Sequence, residues 1–325
     1  MPRTLVTGGA GYVGSHMVKL LVDSGAEVTI LDDLSTGHAD AVVGGHFVRG
    51  DIADVRATAA LLESRGIEAV VHFAACSLVA ESLANPLKYY ARNVGGTVAL
   101  LRAMRTAGVQ SIVFSSTAAV YGDPQRLPID EAHPTQPVNP YGSSKLAIER
   151  MLGECSAAYG LRAASLRYFN AAGADPEARL GERHDPETHL IPLVLQAAAG
   201  RRPGISVYGT DYPTRDGTCV RDYIHVSDLC VAHLRALEWL AGGRRYDCFN
   251  LGNGDGASVL EVIEAARRVT GRPIEVAYAA RRAGDPPALV ADAAKARRVL
   301  GWQPAHADID SIVRDAWGFE QRRAR

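Results

Sequence analysis

Tyr141 and Lys145, in the run Tyr-Gly-Ser-Ser-Lys, are the residues of this chain best suited to acid–base chemistry. Four positions apart on a helix, they share one face. A free Tyr has a pKa of roughly 10 and is a poor base at neutrality. Bringing it to about 7 takes roughly 4 kcal/mol, at about 1.36 kcal/mol per pH unit. One ammonium about 4 Å away supplies a comparable amount at an effective dielectric of ~20. Lysine is scarce here: of 35 basic residues only Lys19, Lys88, Lys145 and Lys295 are Lys. An Arg fork does not replace an ammonium point charge at such a position. Thr117, just past the apolar run Ser111–Ser115, offers a hydroxyl to bind a reacting oxygen. This trio can oxidise a carbinol, given a hydride acceptor beside it.

The acceptor's site is legible at the start of the chain. Thr7-Gly8-Gly9-Ala10-Gly11-Tyr12-Val13-Gly14 satisfies both GxGxxG and GxxGxxG. Alone such a pattern is weak, because 32 glycines produce chance matches. Here it follows an apolar strand and opens an amphipathic helix, so backbone N–H groups and the helix dipole face a pyrophosphate. Asp32 follows Gly14 by 18 residues at the end of a second strand, where an acid bonds a ribose hydroxyl and repels a 2′-phosphate. NAD is therefore expected over NADP. Asp51-Ile52 ends a third strand and flanks the adenine. His72-Phe73-Ala74-Ala75 ends a fourth, with small residues against the cofactor, and His72 reads as a satisfied core histidine. Asn93 is read as a support for the loop around it.

These residues need a frame. Short strands at Arg3–Thr7, Ala26–Leu31, Phe47–Arg49, Ala69–Phe73, Ser111–Ser115 and Ala163–Arg167 alternate with helices at Tyr12–Ser24, Ala53–Arg65, Pro86–Ala107 and Pro140–Tyr159. Each of the last two opens on Pro, a favoured first helical position. The alternation predicts a Rossmann-type, doubly wound parallel sheet. Residues 1–172 form the expected NAD-binding domain, with 222–252 returning to it. Residues 173–325 form a smaller α/β lobe over the sheet's carboxyl edge, opening with a loop at Ala174–Glu187 and a helix at Leu190–Gly200.

The bulk numbers limit the partners. A net charge of −1 argues against nucleic acid or an anionic membrane surface. No apolar run approaches the roughly 18–20 residues of a membrane helix. The glycine motif begins too early to leave room for a secretory leader. Cys76, Cys155, Cys219, Cys230 and Cys248 are dispersed without a CxxC pair, which reads as reduced thiols of a cytoplasmic protein, and no metal site is expected.

TGGAGYVG, HFAA, NVGGT, SSTAAVYG, NPYGSSK, LRYFNAAGA, TDYPTRDGTCVRDYIHV and RRAGDPP, taken in order, resemble the extended short-chain dehydrogenase/reductase family, and within it the UDP-glucose 4-epimerases. The resemblance runs from Thr4 to Trp317, and Asp216–Val226 is its most specific stretch. It implies an isomerase with resident NAD. Tyr141 takes the proton of the sugar's 4-hydroxyl while hydride leaves C4, the 4-keto sugar turns, and hydride returns to its other face. It also implies site roles. Gly8, Gly11, Tyr12, Val13, Gly14, Asp32, Asp33, Leu34, Ser35, Thr36, Gly37, Asp51, Ile52, Phe73, Ala74, Ala75, Ser77, Asn93, Tyr141, Lys145 and Phe169 would line the cofactor. Arg221 and Arg282 would hold a UDP diphosphate, assisted by Asn170. Tyr208 would pack by the uracil and Asp285 take a ribose hydroxyl. Thr117, Tyr141, His189, Leu190 and Leu289 would complete the UDP-sugar site. A homodimer is implied, through faces of the two long helices carrying Tyr89, Val94, Leu101, Leu146 and Met151.

Some positions depart from the family. Ser77 stands where many members have Lys, Thr117 where Ser is commoner, and Thr188-His189 where an Asn pair is found. Leu289 replaces a bulky Tyr of some members, which leaves room for a 2-acetamido group. UDP-N-acetylhexosamines and UDP-pentoses are thus alternative substrates. A dehydratase would need acids where Ala118 and Ala119 stand. A regulator without catalysis should have lost the Tyr–Lys pair, and a dehydrogenase would exchange its cofactor with solution.

Overall fold

The computed structural model describes residues 1–282 and 284–323. Ala283, inside the RRAGDPP motif, lies outside them. The chain begins with β1 (Thr4–Thr7), α1 (Tyr12–Asp23), β2 (Val28–Asp32), β3 (His46–Arg49), α2 (Val55–Ser64) and β4 (Ala69–His72). Next come α3 (Val79–Ala84), α4 (Pro86–Tyr89), α5 (Gly96–Thr106), β5 (Ser111–Ser115), α6 (Pro140–Tyr159) and β6 (Arg162–Tyr168). The second half holds β7 (Asn170–Ala172), α7 (Leu190–Ala198), β8 (Ile205–Tyr208), β9 (Val220–Arg221), β10 (Tyr223–His225), α8 (Val226–Ala241) and β11 (Tyr246–Leu251). It closes with β12 (Ala257–Ser258), α9 (Val259–Thr270), β13 (Val276–Ala279), β14 (Ala288–Leu289), α10 (Ala294–Leu300) and α11 (Ile309–Arg323).

Seven strands make one parallel sheet in the order β11-β6-β5-β4-β1-β2-β3. Its central strands β1, β2, β4 and β5 are buried along their whole length, as expected of a parallel sheet covered on both faces. One face packs Met17, Val18 and Leu21 of α1 with Leu229, Leu237 and Leu240 of α8. The other packs Leu62 of α2, Leu100 and Met104 of α5, and Ile148 and Leu152 of α6. Each such side chain contributes roughly 1.5–3 kcal/mol by leaving water. A separate core joins α7, α9 and α11 through Val194, Ile263, Ile312 and Trp317. The connection reverses between β1 and β4, and ligands of open α/β sheets bind at that switch point.

Two of the expected elements differ. β2 runs to Asp32, which places the acid inside the last strand residue and buries it. The helix expected as one piece over Pro86–Ala107 is α4, a π-turn at Tyr90–Gly95, and α5. Gly95 and Gly96 permit the break. Ile52 packs where a Cβ on Gly96 would come within 3.1 Å. The wider turn faces Asn93 inward, and π-turns of this kind recur at functional sites.

Candidate active site and cofactor crevice

The glycine loop is built so tightly that side chains are excluded. A Cβ on Gly14 would meet the Gly8 carbonyl oxygen at 2.1 Å, and one on Gly8, at φ +71°, would meet Ala74 N at 2.6 Å. Gly11 caps α1 without a side-chain hydrogen bond, so the first-turn N–H groups of Tyr12, Val13 and Gly14 keep their donors for another partner. Asp32 then fastens the loop: its carboxylate accepts from Ala10 N at 2.9 Å and Leu34 N at 2.8 Å. Leu34 adopts φ +61°, and a Cβ on Gly37 would press on Asp32 and Ala10. Open helix donors, an acid at the next strand end and glycines at each close approach fit a dinucleotide.

The remaining cofactor-side residues divide into two groups. Asp33, Asp51 and the exposed Ser35 and Thr36 gather at the ends of β2 and β3, where Arg92 bridges Asp33 at 3.1 Å and Asp51 at 2.8 Å. Ile52 is buried, and Ser77 is exposed. Asn93 is buried and accepts from Cys76 N at 2.8 Å while donating to Cys76 O at 3.1 Å and Ser144 Oγ at 3.0 Å, so it ties the Ala75–Ser77 loop to α6. His72 is held between Thr7 and Thr97 hydroxyls, at 2.7 and 3.0 Å, and burial lowers its pKa to about 3. Tyr12 turns toward the second lobe and donates to Gly173 O at 2.7 Å. Phe73 packs on His233, with ring centroids 4.8 Å apart.

Tyr141 and Lys145 lie on the first turns of α6, which Asn139 caps at Gly142 N (2.8 Å) and Pro140 opens. Thr117 caps the 3₁₀ turn Ala118–Val120, its hydroxyl accepting from Ala119 N at 3.1 Å, and stands close enough to Tyr141 to influence its ionisation. Lys145 Nζ donates to Ser115 O at 2.8 Å and stands 5.9 Å from the centroid of the Tyr141 ring. Burial lowers Lys145 to about 7. Burial, then the neighbouring Tyr168, push Tyr141 upward against the lowering influence of Thr117. The same burial that strengthens the pair penalises the charged form of each group.

A buried network absent from the sequence reading braces this corner. Glu149 of α6 accepts from Ser116 Oγ at 2.5 Å and from Arg167 Nε at 2.9 Å. Arg167 donates to Tyr121 OH at 2.9 Å, which in turn donates to Asn250 at 2.6 Å. The network joins α6, β6, β11 and the segment after β5. Each member is a common polar residue far from the others in sequence, so no spacing announces it.

The second lobe brings Asn170, His189, Leu190, Tyr208, Arg221, Arg282 and Asp285 to one cleft of about 280 Å³. Arg282 stacks over the Tyr208 ring at 3.8 Å. Arg221 donates to Val220 O at 2.9 Å and Pro286 O at 3.0 Å and reaches Asp285 at 3.5 Å. Thr117, Tyr141, Phe169 and Leu289 do not line this cleft. Phe169 and Leu289 each pack against the buried cluster of Ala118 and Leu146. A larger cavity of about 590 Å³ lies beside Arg215, Asp255 and Ile309, away from the Tyr141–Lys145 pair.

With this geometry in place, the comparisons are decisive. The profile of the NAD dependent epimerase/dehydratase family matches residues 4–252. The chain belongs to that family. The UDP-glucose 4-epimerase of Streptomyces lividans is 56% identical over 97% of this chain and 95% of its own length. The crystal structure of UDP-glucose 4-epimerase from Brucella ovis in complex with NAD is 51% identical, covers 98% of each chain and superposes with a TM-score of 0.95. The Bifidobacterium longum UDP-glucose 4-epimerase in complex with NAD+ and UDP is 37% identical over 99% of this chain and 98% of its own, with a TM-score of 0.92.

The faces expected to meet a second subunit are partly internal in this family member. Tyr89, Leu101 and Leu146 are buried within the chain, and Tyr89 OH donates to Leu78 O at 2.6 Å. The apolar side chains actually exposed on α3 to α5 are Val79, Leu83, Leu87, Tyr90 and Val98. No described helix is long and apolar enough to cross a membrane.

Proposed function

We propose that the protein is an NAD-dependent isomerase that interconverts UDP-galactose and UDP-glucose at C4. The observation that carries this reading is the placement of Thr117, Tyr141 and Lys145 at the carboxyl edge of a sheet whose glycine loop fits a dinucleotide. It is joined by full-length similarity to UDP-glucose 4-epimerases. Residues 1–172 and 222–252 form the cofactor half, and the rest of 173–325 the sugar-nucleotide half.

Gly8, Gly11 and Gly14, with the N–H groups of α1, would hold the pyrophosphate of NAD, and Asp32 a ribose hydroxyl. When bound, NAD supplies reversible acceptance of the C4 hydride and a positive charge beside Tyr141. Tyr141 takes the proton of the 4-hydroxyl and returns it after the 4-keto sugar has presented its other face. Thr117 holds the reacting oxygen and orients the transfer. Lys145 adds positive charge at the base of the site and, through Ser115, fixes its own position. Arg221 and Arg282 offer planar donor forks to the diphosphate. The Ala118–Ala119 turn supplies neither acid nor base, so elimination to a dehydrated sugar is not supported.

A homodimer through α3 to α5 is part of this proposal. Leu83 and Leu87 are 62% and 79% exposed, and large apolar side chains left in water on neighbouring helices suit an interaction site. The five cysteines are free, which suits a reducing cytoplasm. The deciding experiment is proton NMR of UDP-galactose with purified protein and no added NAD. The UDP-glucose anomeric signal should grow to an equilibrium mixture. No conversion, with or without added NAD+, would overturn the substrate assignment.

A further inference from the structure

Between β7 and α7 the chain folds Glu182, His184, Glu187 and His189 into one cluster. His184 Nδ1 stands 3.0 Å from Glu182 Oε1 and 3.8 Å from Glu187 Oε2. His189 Nδ1 stands 2.7 Å from Glu182 Oε1 and 2.9 Å from Glu187 Oε1. The four donor atoms all lie within 4.8 Å of one another. Both carboxylates are nearly sealed, at 6% and 7% exposure, whereas the two imidazoles reach solvent, at 27% and 43%. Two screened negative charges facing two ring nitrogens call for two positive charges at one point.

We propose that this cluster binds one divalent metal ion of the zinc class, with His184 and His189 ligating through Nδ1 and Glu182 and Glu187 through carboxylate oxygens. A tetrahedral ion with bonds of about 2.0–2.2 Å spaces its ligand atoms about 3.4 Å apart. The imidazole–carboxylate separations, 2.7 to 3.8 Å, bracket that spacing, and all four donor atoms lie within 4.8 Å, so side-chain adjustments would complete the shell. Two imidazoles with two carboxylates suit Zn²⁺ or Co²⁺, whereas Mg²⁺ and Ca²⁺ prefer shells of oxygen alone. One such ion cancels the charge of both carboxylates with neutral imidazoles.

Its position defines a role. Arg183, between two ligands, forks onto Asp40 at 2.9 and 2.7 Å, and its carbonyl meets His38 Nε2 at 2.9 Å. Those partners follow the Asp33–Gly37 segment on the cofactor side. Tyr12 lies edge-on to His184, with centroids 6.3 Å apart. Glu182 and His189 also form part of the wall of the cleft that holds Arg221 and Arg282. The ion would pin a loop that spans both binding regions, and would order the cleft wall without touching the reacting atoms. The inference concerns this loop and does not depend on which sugar is turned over.

The test uses the full-length protein, stripped with a chelator and returned to buffer. Titration with Zn²⁺ alone should load one ion per chain at micromolar or lower free metal, counted by atomic emission. Thermal unfolding should shift upward by several degrees. Co²⁺ should give the visible d–d bands of a tetrahedral site. His184→Ala and Glu187→Gln should each weaken loading at least tenfold. Failure to bind Zn²⁺ in the unmodified protein, or an octahedral Co²⁺ spectrum, overturns the proposal without recourse to any variant. Equal loading of the variant that combines His184→Ala with Glu187→Gln also overturns it, by placing the metal on other side chains.

Discussion

Around the glycine loop the contacts that shape a ligand's seat are made by backbone. Gly8 and Gly14 approach Ala74 and one another too closely for any Cβ, and Asp32 spends its carboxylate on two main-chain N–H groups. Across the molecule, the cleft of the second lobe is shaped by side chains that satisfy one another. Arg221 leans on Asp285 and two carbonyls, and Arg282 lies on the Tyr208 ring. The first region is preorganised and its geometry cannot relax. The second must exchange internal partners for those of a ligand, which costs ordering and desolvation when it binds. The difference teaches where mutations should abolish function and where they should only tune it.

The largest effect is expected between the two regions, at the reacting group itself. Tyr141→Phe removes the proton carrier and leaves the ring in place. Turnover of UDP-galactose should fall about 10²- to 10⁴-fold, the usual share of general acid–base catalysis, while the thermal midpoint and bound NAD change little. Steady-state kinetics beside cofactor absorbance would separate these, and a loss under tenfold would remove Tyr141 from its role. Because burial raises Tyr141 and lowers Lys145 to about 7, the Tyr should become an effective base only with the oxidised cofactor in place. Ultraviolet titration of tyrosinate with and without NAD+ would show this as a pKa that falls on binding.

Next in size are changes to the backbone-built seat. Gly14→Ala places a methyl 2.1 Å from a carbonyl oxygen that belongs to a buried loop, so the loop or α1 must move. The variant should lose retained NAD and lower the thermal midpoint together. Asp32→Ala opens the two N–H groups at Ala10 and Leu34. Hydrogen bonds to a charged group are worth about 1.5–3 kcal/mol each, so NAD affinity should fall by at least tenfold. Normal cofactor retention in either variant would show that the seat is less rigid than its contacts indicate.

Acid should probe the same contrast. His16, His225 and His233 are lowered to about 4 and His72 to about 3, with burial the largest cause in each. All four sit on or beside the main sheet. In the unfolded chain each titrates near 6.5, so between 6.5 and 4 the unfolded state binds more protons. Stability should therefore fall as pH drops through that window and be fully present above it. Urea midpoints at pH 7.5, 6 and 5 would measure the slope. A flat profile would mean that the histidines gain protons by local opening.

The contrast also explains what could be read in the sequence. β5 and α6 fall where apolar runs and Pro140 place them, because a buried parallel strand and a capped helix are local patterns. The glycine loop was legible for the same reason: its constraint is contained in consecutive residues. Asn93 holds the loop at Cys76, but the π-turn that faces it inward is not announced by the sequence, where Pro86–Ala107 reads as one unbroken helix. Glu149, Arg167, Tyr121 and Asn250 were not singled out, because only the tertiary fold assembles them. Tyr89 and Leu101 were read as outward contacts, yet both are core residues, since a helix's periodicity fixes a face but not which neighbour covers it. The hydrogen bond of Lys145 to Ser115 O is another contact that no local pattern announces, since β5 and α6 meet only in the fold.

In the side-chain-built cleft the effects should be graded. Arg221→Lys keeps the charge and removes the fork, so KM for a UDP-sugar should rise about tenfold with kcat nearly constant, the signature of uniform binding. The smallest effect belongs to Leu289. It pairs in register with Arg221, which lines the cleft, and packs against the buried cluster of Ala118 and Leu146 beside the catalytic corner. A Leu there is smaller than a Tyr, and one extra group in an apolar pocket is worth only about 1–3 kcal/mol of discrimination. The protein should therefore turn over UDP-N-acetylgalactosamine measurably. Leu289→Tyr should lower that activity about 10- to 200-fold while leaving UDP-galactose within a few-fold. Parallel kcat/KM values for the two sugars decide it. Absence of any N-acetyl turnover in the unmodified protein, even at high enzyme concentration, would show that the 2-position is excluded by a wall other than Leu289.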